Sequence, residues 1–347
     1  MLLHRPARLA LLLGLALVAA ATGVADGGAK PQPPVIEPPP ATPGVGLGAR
    51  FVQEAAAYQS YMRAALAIAP NFTDARDVGR SLRTGATYEP AQLRRGAVAY
   101  AAIAALGDAA FVADVRRAGD TPQARYAIVA RIYANPASAM AFADGAGAAG
   151  LAKAALATTG MELYNAGDAV AGAAYSIQHQ PWSLAPVADP EARAAAVKGL
   201  SATPRQAASD DVAAMARRVL GDTSGAPPLQ PAPPIYSALV VRAVALAALA
   251  AIGQAGDDVS ANLSWLTDDY FMDHCVSETK LSLFECLAVA KPNYEDVFCL
   301  GQHAMKDTGA CVVRAAGAAV PLVITTAPPP RIPPAHIGAH HVVHRRA

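Results

Sequence analysis

The residues of this chain with the most definite chemistry are its four cysteines, Cys275, Cys286, Cys299 and Cys311, all confined to one stretch of the sequence. An even number without CxxC spacing suits disulfides better than a thiolate metal site. At about 100° per residue, the step from Cys275 to Cys286 returns to one side of a continuous helix. Lys291-Pro292-Asn293 then breaks the chain midway between Cys286 and Cys299, and Tyr294 to Lys306 resumes as helix until Gly309. In an antiparallel hairpin, residues equidistant from the turn meet, which gives Cys286–Cys299 nested inside Cys275–Cys311. Sequential pairing, Cys275 with Cys286 and Cys299 with Cys311, is the alternative if Ser277 to Thr279 interrupts the first helix.

Other groups have weaker chemical signatures. His336, His340, His341 and His344 stand close together near the C-terminus and can bind zinc, copper or nickel weakly, or form a solvated tail that gains charge below about pH 6.5. His303 reads as an interfacial histidine. Gly145-Ala146-Gly147-Ala148-Ala149-Gly150 fits the GxGxxG pattern, but no β-branched strand precedes it and Ala137 to Ala143 reads as helix. Small residues that let helices approach closely are the simpler reading, and no cofactor is expected. GxSxG and HExxH are absent. Gln178-His179-Gln180-Pro181-Trp182-Ser183 reads as a surface crossing anchored in the core by Trp182. In the segment from Asp268 to His274, Asp269 and Asp273 share a helical face, through capping and solvation or as part of a site. A hydrolytic site would have to be built from Asp269, Asp273, His274 or His179.

The elements that must hold these residues are helices. Phe51, Ala55, Tyr58, Met62, Leu66 and Ala69 recur every three or four positions, the period of one buried stripe. Glu89-Pro90, Thr121-Pro122, Asn135-Pro136, Asp189-Pro190 and Thr203-Pro204 each put proline after a capping residue, a pattern that starts helices. Ala238 to Ile252 is apolar nearly all round, as in a helix inside a larger body, and only Val320 to Thr326 looks extended. Ala97 to Gly107 and Ala243 to Gly253 are alike in sequence, which fits two central core helices in an alanine-rich chain. The fold expected is all-α: an irregular multi-helix bundle with a disulfide-linked C-terminal helical hairpin, flanked by disordered proline-rich ends.

Arg5, Arg8, the apolar run Leu9 to Ala21 and the small residues Gly23-Val24-Ala25 form a signal peptide over 1–25. A Pro/Gly-rich linker follows over 26–49, the helical domain over 50–326 and a Pro/His-rich tail over 327–347. Within the domain, the proline cluster at 223–234 reads as a loop or sub-domain boundary, and the cysteine hairpin occupies 275–311. The apolar leader is shorter than the roughly twenty residues of a membrane-spanning helix, so no transmembrane segment is expected in the mature chain. Losing Arg5 and Arg8 with the leader turns the formal net charge from +1 to −1, leaving no global attraction for nucleic acid. At 53% apolar and 16% charged, the chain can bury a core. These features describe a periplasmic or secreted protein, a non-catalytic binding or structural module whose partner is an envelope protein or polymer. A periplasmic hydrolase and weak metal capture by the tail are the alternatives.

Overall fold

A computed structural model describes residues 45–224 and 235–321. The leader, nearly all of the linker, most of the 223–234 loop and the histidine-bearing tail lie outside the described residues. Helices follow in the order α1 (Ala49–Leu66), α2 (Ala75–Ala86), α3 (Pro90–Ala105), α4 (Ala109–Ala118), α5 (Pro122–Ala134), α6 (Gly145–Ile177), α7 (Pro181–Leu184), α8 (Pro190–Ala202), α9 (Ser209–Val219), α10 (Ala238–Ala251), α11 (Tyr270–Val289), α12 (Asn293–Cys299) and α13 (Thr308–Ala315). Turns of 3₁₀ helix occupy Pro136–Ala141 and Ser260–Thr267, and a π-helical segment, Leu300–Asp307, joins α12 to α13. Among the described residues there is no strand, only isolated bridges at Leu47–Ala255 and Pro186–Pro292. The protein is all-α.

Local capping chemistry accounts for several helix starts. Glu89 accepts from the amides of Ala91 and Gln92, Thr121 from Ala124 and Asp189 from Ala192, each with proline in the first turn. Such caps contribute about 1 kcal/mol each. Two of the proline signals have other outcomes. Asn135-Pro136 opens only the 3₁₀ turn. Thr203 closes α8 instead of opening a helix, because its hydroxyl bonds back to Gly199 O at 2.8 Å, and the next helix waits until Ser209. Similarly, Ala137 to Ala143 is not an α-helix.

The core is built where α1, α3, α6 and α10 converge. From Ala243 to Ala251 every α10 side chain is buried, as an all-round apolar helix requires. Its one charge, Arg242, lies at the edge, donating to the carbonyls of Trp265 (2.9 Å) and Asp268. No single described helix is long and apolar enough to cross a membrane. α3 and α4 pass that test together, but they bend by 89° at their junction.

The C-terminal hairpin is the nested one. Cys275 bonds Cys311 and Cys286 bonds Cys299, each pair with Cα atoms 5.7 Å apart, and α11 runs unbroken through Ser277 to Thr279. Two disulfides in one hairpin point to an oxidising, extracytoplasmic setting. The second arm does not stop at Gly309. It runs on to Ala315, because this glycine is a contact and not a terminator: a Cβ there would sit 2.5 Å from the Tyr164 amide nitrogen.

That contact belongs to a row. On α6, a Cβ at Gly160 would meet Gly309 O at 3.0 Å, and one at Gly167 would collide with the Lys306 backbone. On the hairpin arm, a Cβ at Gly301 would collide with the Ala171 backbone. The two backbones therefore touch, with glycine on both sides. Here α6 gains dispersion contacts that its alanine-rich surface could not supply at ordinary helix spacing. Above the seam, Tyr88 Oη bonds Thr308 Oγ1 (2.8 Å) and Thr279 Oγ1 (2.9 Å), and Tyr61 Oη donates to Ala304 O (3.0 Å) in the π-helical segment.

A pair of substitutions on one helix separates this packing from helix propensity. Gly167→Ala should destabilise by about 2 kcal/mol or more, the cost of overpacking against backbone. Gly172→Ala, with nothing within 4 Å of the added carbon, should be neutral or stabilise by up to about 1 kcal/mol. Urea unfolding checks both, and equal effects would contradict the seam.

Candidate functional site

The residues that could make a hydrolytic site are occupied elsewhere or kept apart. Asp269 is buried and caps α11, accepting from Met272 N at 2.8 Å. Asp273 pairs with Arg94 Nε at 3.2 Å, beside the Arg94–Asp268 pair. His274 stacks on Tyr270, ring centroids 6.0 Å apart, and borders a groove of about 550 Å³ that is also lined by Tyr164. His179 is exposed just beyond the far end of α6, and the α6 turns between it and Tyr164 rise roughly 20 Å. The structure thus brings Asp269, Asp273 and His274 onto one end of α11 without His179. Trp182 is half-buried against the core, and Asn293 Nδ2 donates to its carbonyl at 3.1 Å. His336, His340, His341 and His344 lie outside the described residues.

Most charged groups beside cavities already have partners. In the groove on the hairpin, Lys306 pairs with Asp168 at 2.6 Å, which holds its ammonium above the usual lysine range, and Asp307 accepts from Gln302 at 2.8 Å and pairs with His303 at 2.9 Å. In a second cavity, of about 400 Å³ between α2 and α8, Arg193 is committed to Asp296 and to Leu287 O. Burial lifts the Asp296 carboxyl to about 6 against the opposing pull of Arg193.

The third cavity differs. It also encloses about 400 Å³, between α3, α4, the start of α6 and the end of α9. Ile103, Leu151 and Ala155 form its apolar floor, with Tyr100 beside them. Asp108 is 9% exposed; its Oδ1 caps α4 through Phe111 N at 2.9 Å, and among the described residues no donor reaches its Oδ2. Asp144 precedes α6 with φ +60°, the left-handed region that aspartate tolerates better than most residues, and its carboxylate makes no capping bond. Both carboxylates pack against Gly147 and fill the place of a side chain: a Cβ there would collide with Asp108 Oδ2 and lie 2.6 Å from Asp144 Oδ1. Arg218 lies over the Tyr100 ring, 5.9 Å from its centroid, and makes no ion pair among the described residues.

This is where the GxGxxG sequence falls, at the first turns of α6. The glycines do not leave a space for a phosphate, since a Cβ at Gly145 would lie 2.7 Å from Met140 O and one at Gly147 would collide with the Asp108 carboxylate. The carboxylates of Asp108 and Asp144 sit against Gly147, and a 3₁₀ turn precedes the motif in place of a strand. The two carboxylates therefore repel a pyrophosphate there. Sequence reasoning located Gly147 but missed Asp108, Asp144, Arg218 and Tyr100. The one local signal was Asp144-Gly145 ahead of the motif; the other groups arrive from distant elements.

No protein-family model, curated protein or solved structure matches this chain significantly.

The most buried base lies elsewhere. Lys280, 4% exposed, donates to Ala86 O (2.7 Å) and Ser201 Oγ (3.0 Å), and its Nζ is 3.4 Å from the Tyr88 ring centroid. Serine beside lysine has the composition of a nucleophilic dyad, but both are buried and neither lines these three cavities. Burial pushes the ammonium well below the usual lysine range. The folded state thus binds fewer protons here than the unfolded chain, so this residue's contribution to stability should rise with pH until about 10.4, where the unfolded lysine titrates. Unfolding curves of the wild type and Lys280→Met across alkaline pH should diverge in that sense. A pH-independent difference would mean that the hydrogen bonds and ring contact offset burial.

Proposed function

We propose that this chain is an exported, non-catalytic binding module of the cell envelope, periplasmic or secreted, that holds a small ligand in the cavity between α3, α4, the start of α6 and the end of α9. The leader-like start and the disulfide-stapled hairpin support export. One observation carries the binding role: a cavity with an apolar floor is faced by a nine-tenths-buried aspartate whose second oxygen has no donor among the described residues. Cavities of a few hundred cubic ångströms with a few convergent polar groups are where small molecules bind.

Ala104, partly exposed, borders the cavity from α3. Ala104→Trp should fill the space with little effect on the core. Expressed with its leader in a bacterium, the wild type should be recovered from the periplasm or medium with its N-terminus near Asp26. Native mass spectrometry should then find a low-mass ligand on it that Ala104→Trp lacks. Identical spectra for the two proteins, or retention of Met1, would count against the corresponding half of this reading.

A further inference from the structure

We propose that Cys275–Cys311 is an exchangeable disulfide, open to attack by a small thiol, while Cys286–Cys299 is a closed structural one. The two bonds differ in their surroundings. Cys275 and Cys311 both line the groove of about 550 Å³ on the hairpin, whereas the inner pair lines none of the three cavities. Cys275 is partly exposed and Cys311 is 1% exposed, so an entering thiolate meets Cys275 Sγ first. The charges differ too. Arg314, exposed, stands one turn beyond Cys311 on α13 and lines the same groove. Glu278 and Asp307 line it as well, and Asp307 is engaged by Gln302 and His303. Around the inner pair the near groups are acidic: Glu285 precedes Cys286 and Glu295 lies one turn before Cys299, with no lysine or arginine three or four residues from either cysteine.

The exchange balances with the thiol alone. A low-molecular-weight thiolate attacks Cys275 Sγ, a bond forms between its sulfur and Cys275, the Cys275–Cys311 bond breaks, and the electron pair leaves on Cys311 Sγ as a thiolate. Arg314 stabilises that thiolate, because a cation one turn away on the same helix favours the charged form of the sulfur. At the inner pair Glu285 and Glu295 oppose both the approach of a thiolate and its departure. The step acts beside the contact that holds α6. Gly309, two residues before Cys311, packs on the amide of Tyr164, and Tyr164 lines the groove. Exchange therefore unties α13 from α11 next to the seam, while Cys286–Cys299 keeps the turn of the hairpin closed.

Timed thiol exchange on the full chain tests this. With excess glutathione in native buffer, quenching by iodoacetamide and peptide mapping without reduction should show Cys275–Cys311 opening at least about tenfold faster than Cys286–Cys299, with glutathione on Cys275 and the alkyl group on Cys311. The inner bond is the internal control, because exchange through unfolding would open both pairs alike. Arg314→Gln, a change at an exposed position, should slow the outer exchange at least about threefold and leave the inner rate as it was. Equal rates, the inner bond opening first, or glutathione found on Cys311 would overturn the proposal. So would two bonds that open only in urea. An unchanged outer rate in Arg314→Gln would overturn the part given to the guanidinium.

Discussion

The close approach of α6 to the second arm of the C-terminal hairpin is the constraint on which the other contacts rest. Gly160 and Gly167 on one side meet Gly301 and Gly309 on the other, so the backbones touch along several turns. An alanine-rich chain has little apolar area per side chain, and burial is worth roughly 25 cal/mol per Å². Close packing compensates. The hairpin, in turn, can present a continuous contact surface because Cys275–Cys311 and Cys286–Cys299 hold its arms at two levels. The π-helical segment Leu300–Asp307 runs along the same contact, and its Ala304 carbonyl is satisfied by Tyr61 from α1. Disulfides, glycine seam and tyrosine bonds thus fix α6 along its length, and the first turns of α6 carry the cavity.

What could be read from the sequence was the local part of this design. Capping is decided within four residues, so Glu89, Thr121 and Asp189 announced their helices, while Thr203 misled because its hydroxyl can bond backwards as readily as forwards. Nested cysteines follow from helical phase and the position of Pro292. Gly309 illustrates the limit. A glycine that ends a helix and a glycine that admits a neighbouring backbone are the same residue in sequence, and only the presence of α6 beside it distinguishes them. The cavity lay further out of reach, since Asp108, Asp144 and Arg218 converge from three separate stretches of chain.

The same economy explains why one cavity stands apart chemically. Arg193 is committed to Asp296, Lys306 to Asp168, Arg94 to Asp268 and Asp273, and Lys280 to a carbonyl, a hydroxyl and a ring. Those pairings hold helices together. Asp108 Oδ2, Asp144 and Arg218 make no ion pair among the described residues, and all three residues line the cavity between α3, α4, α6 and α9.

Native-state hydrogen exchange, with the disulfides intact and after their reduction, tests the dependence of the body on the seam most directly. In the oxidised protein, the amides of α6 from Gly160 to Ala171 should exchange only through global unfolding. Reduction should lower their protection together with that of the hairpin arms. If α6 kept its full protection while the reduced hairpin exchanged freely, α6 would be held by its other neighbours, and the glycine seam would not be the contact on which the fold depends.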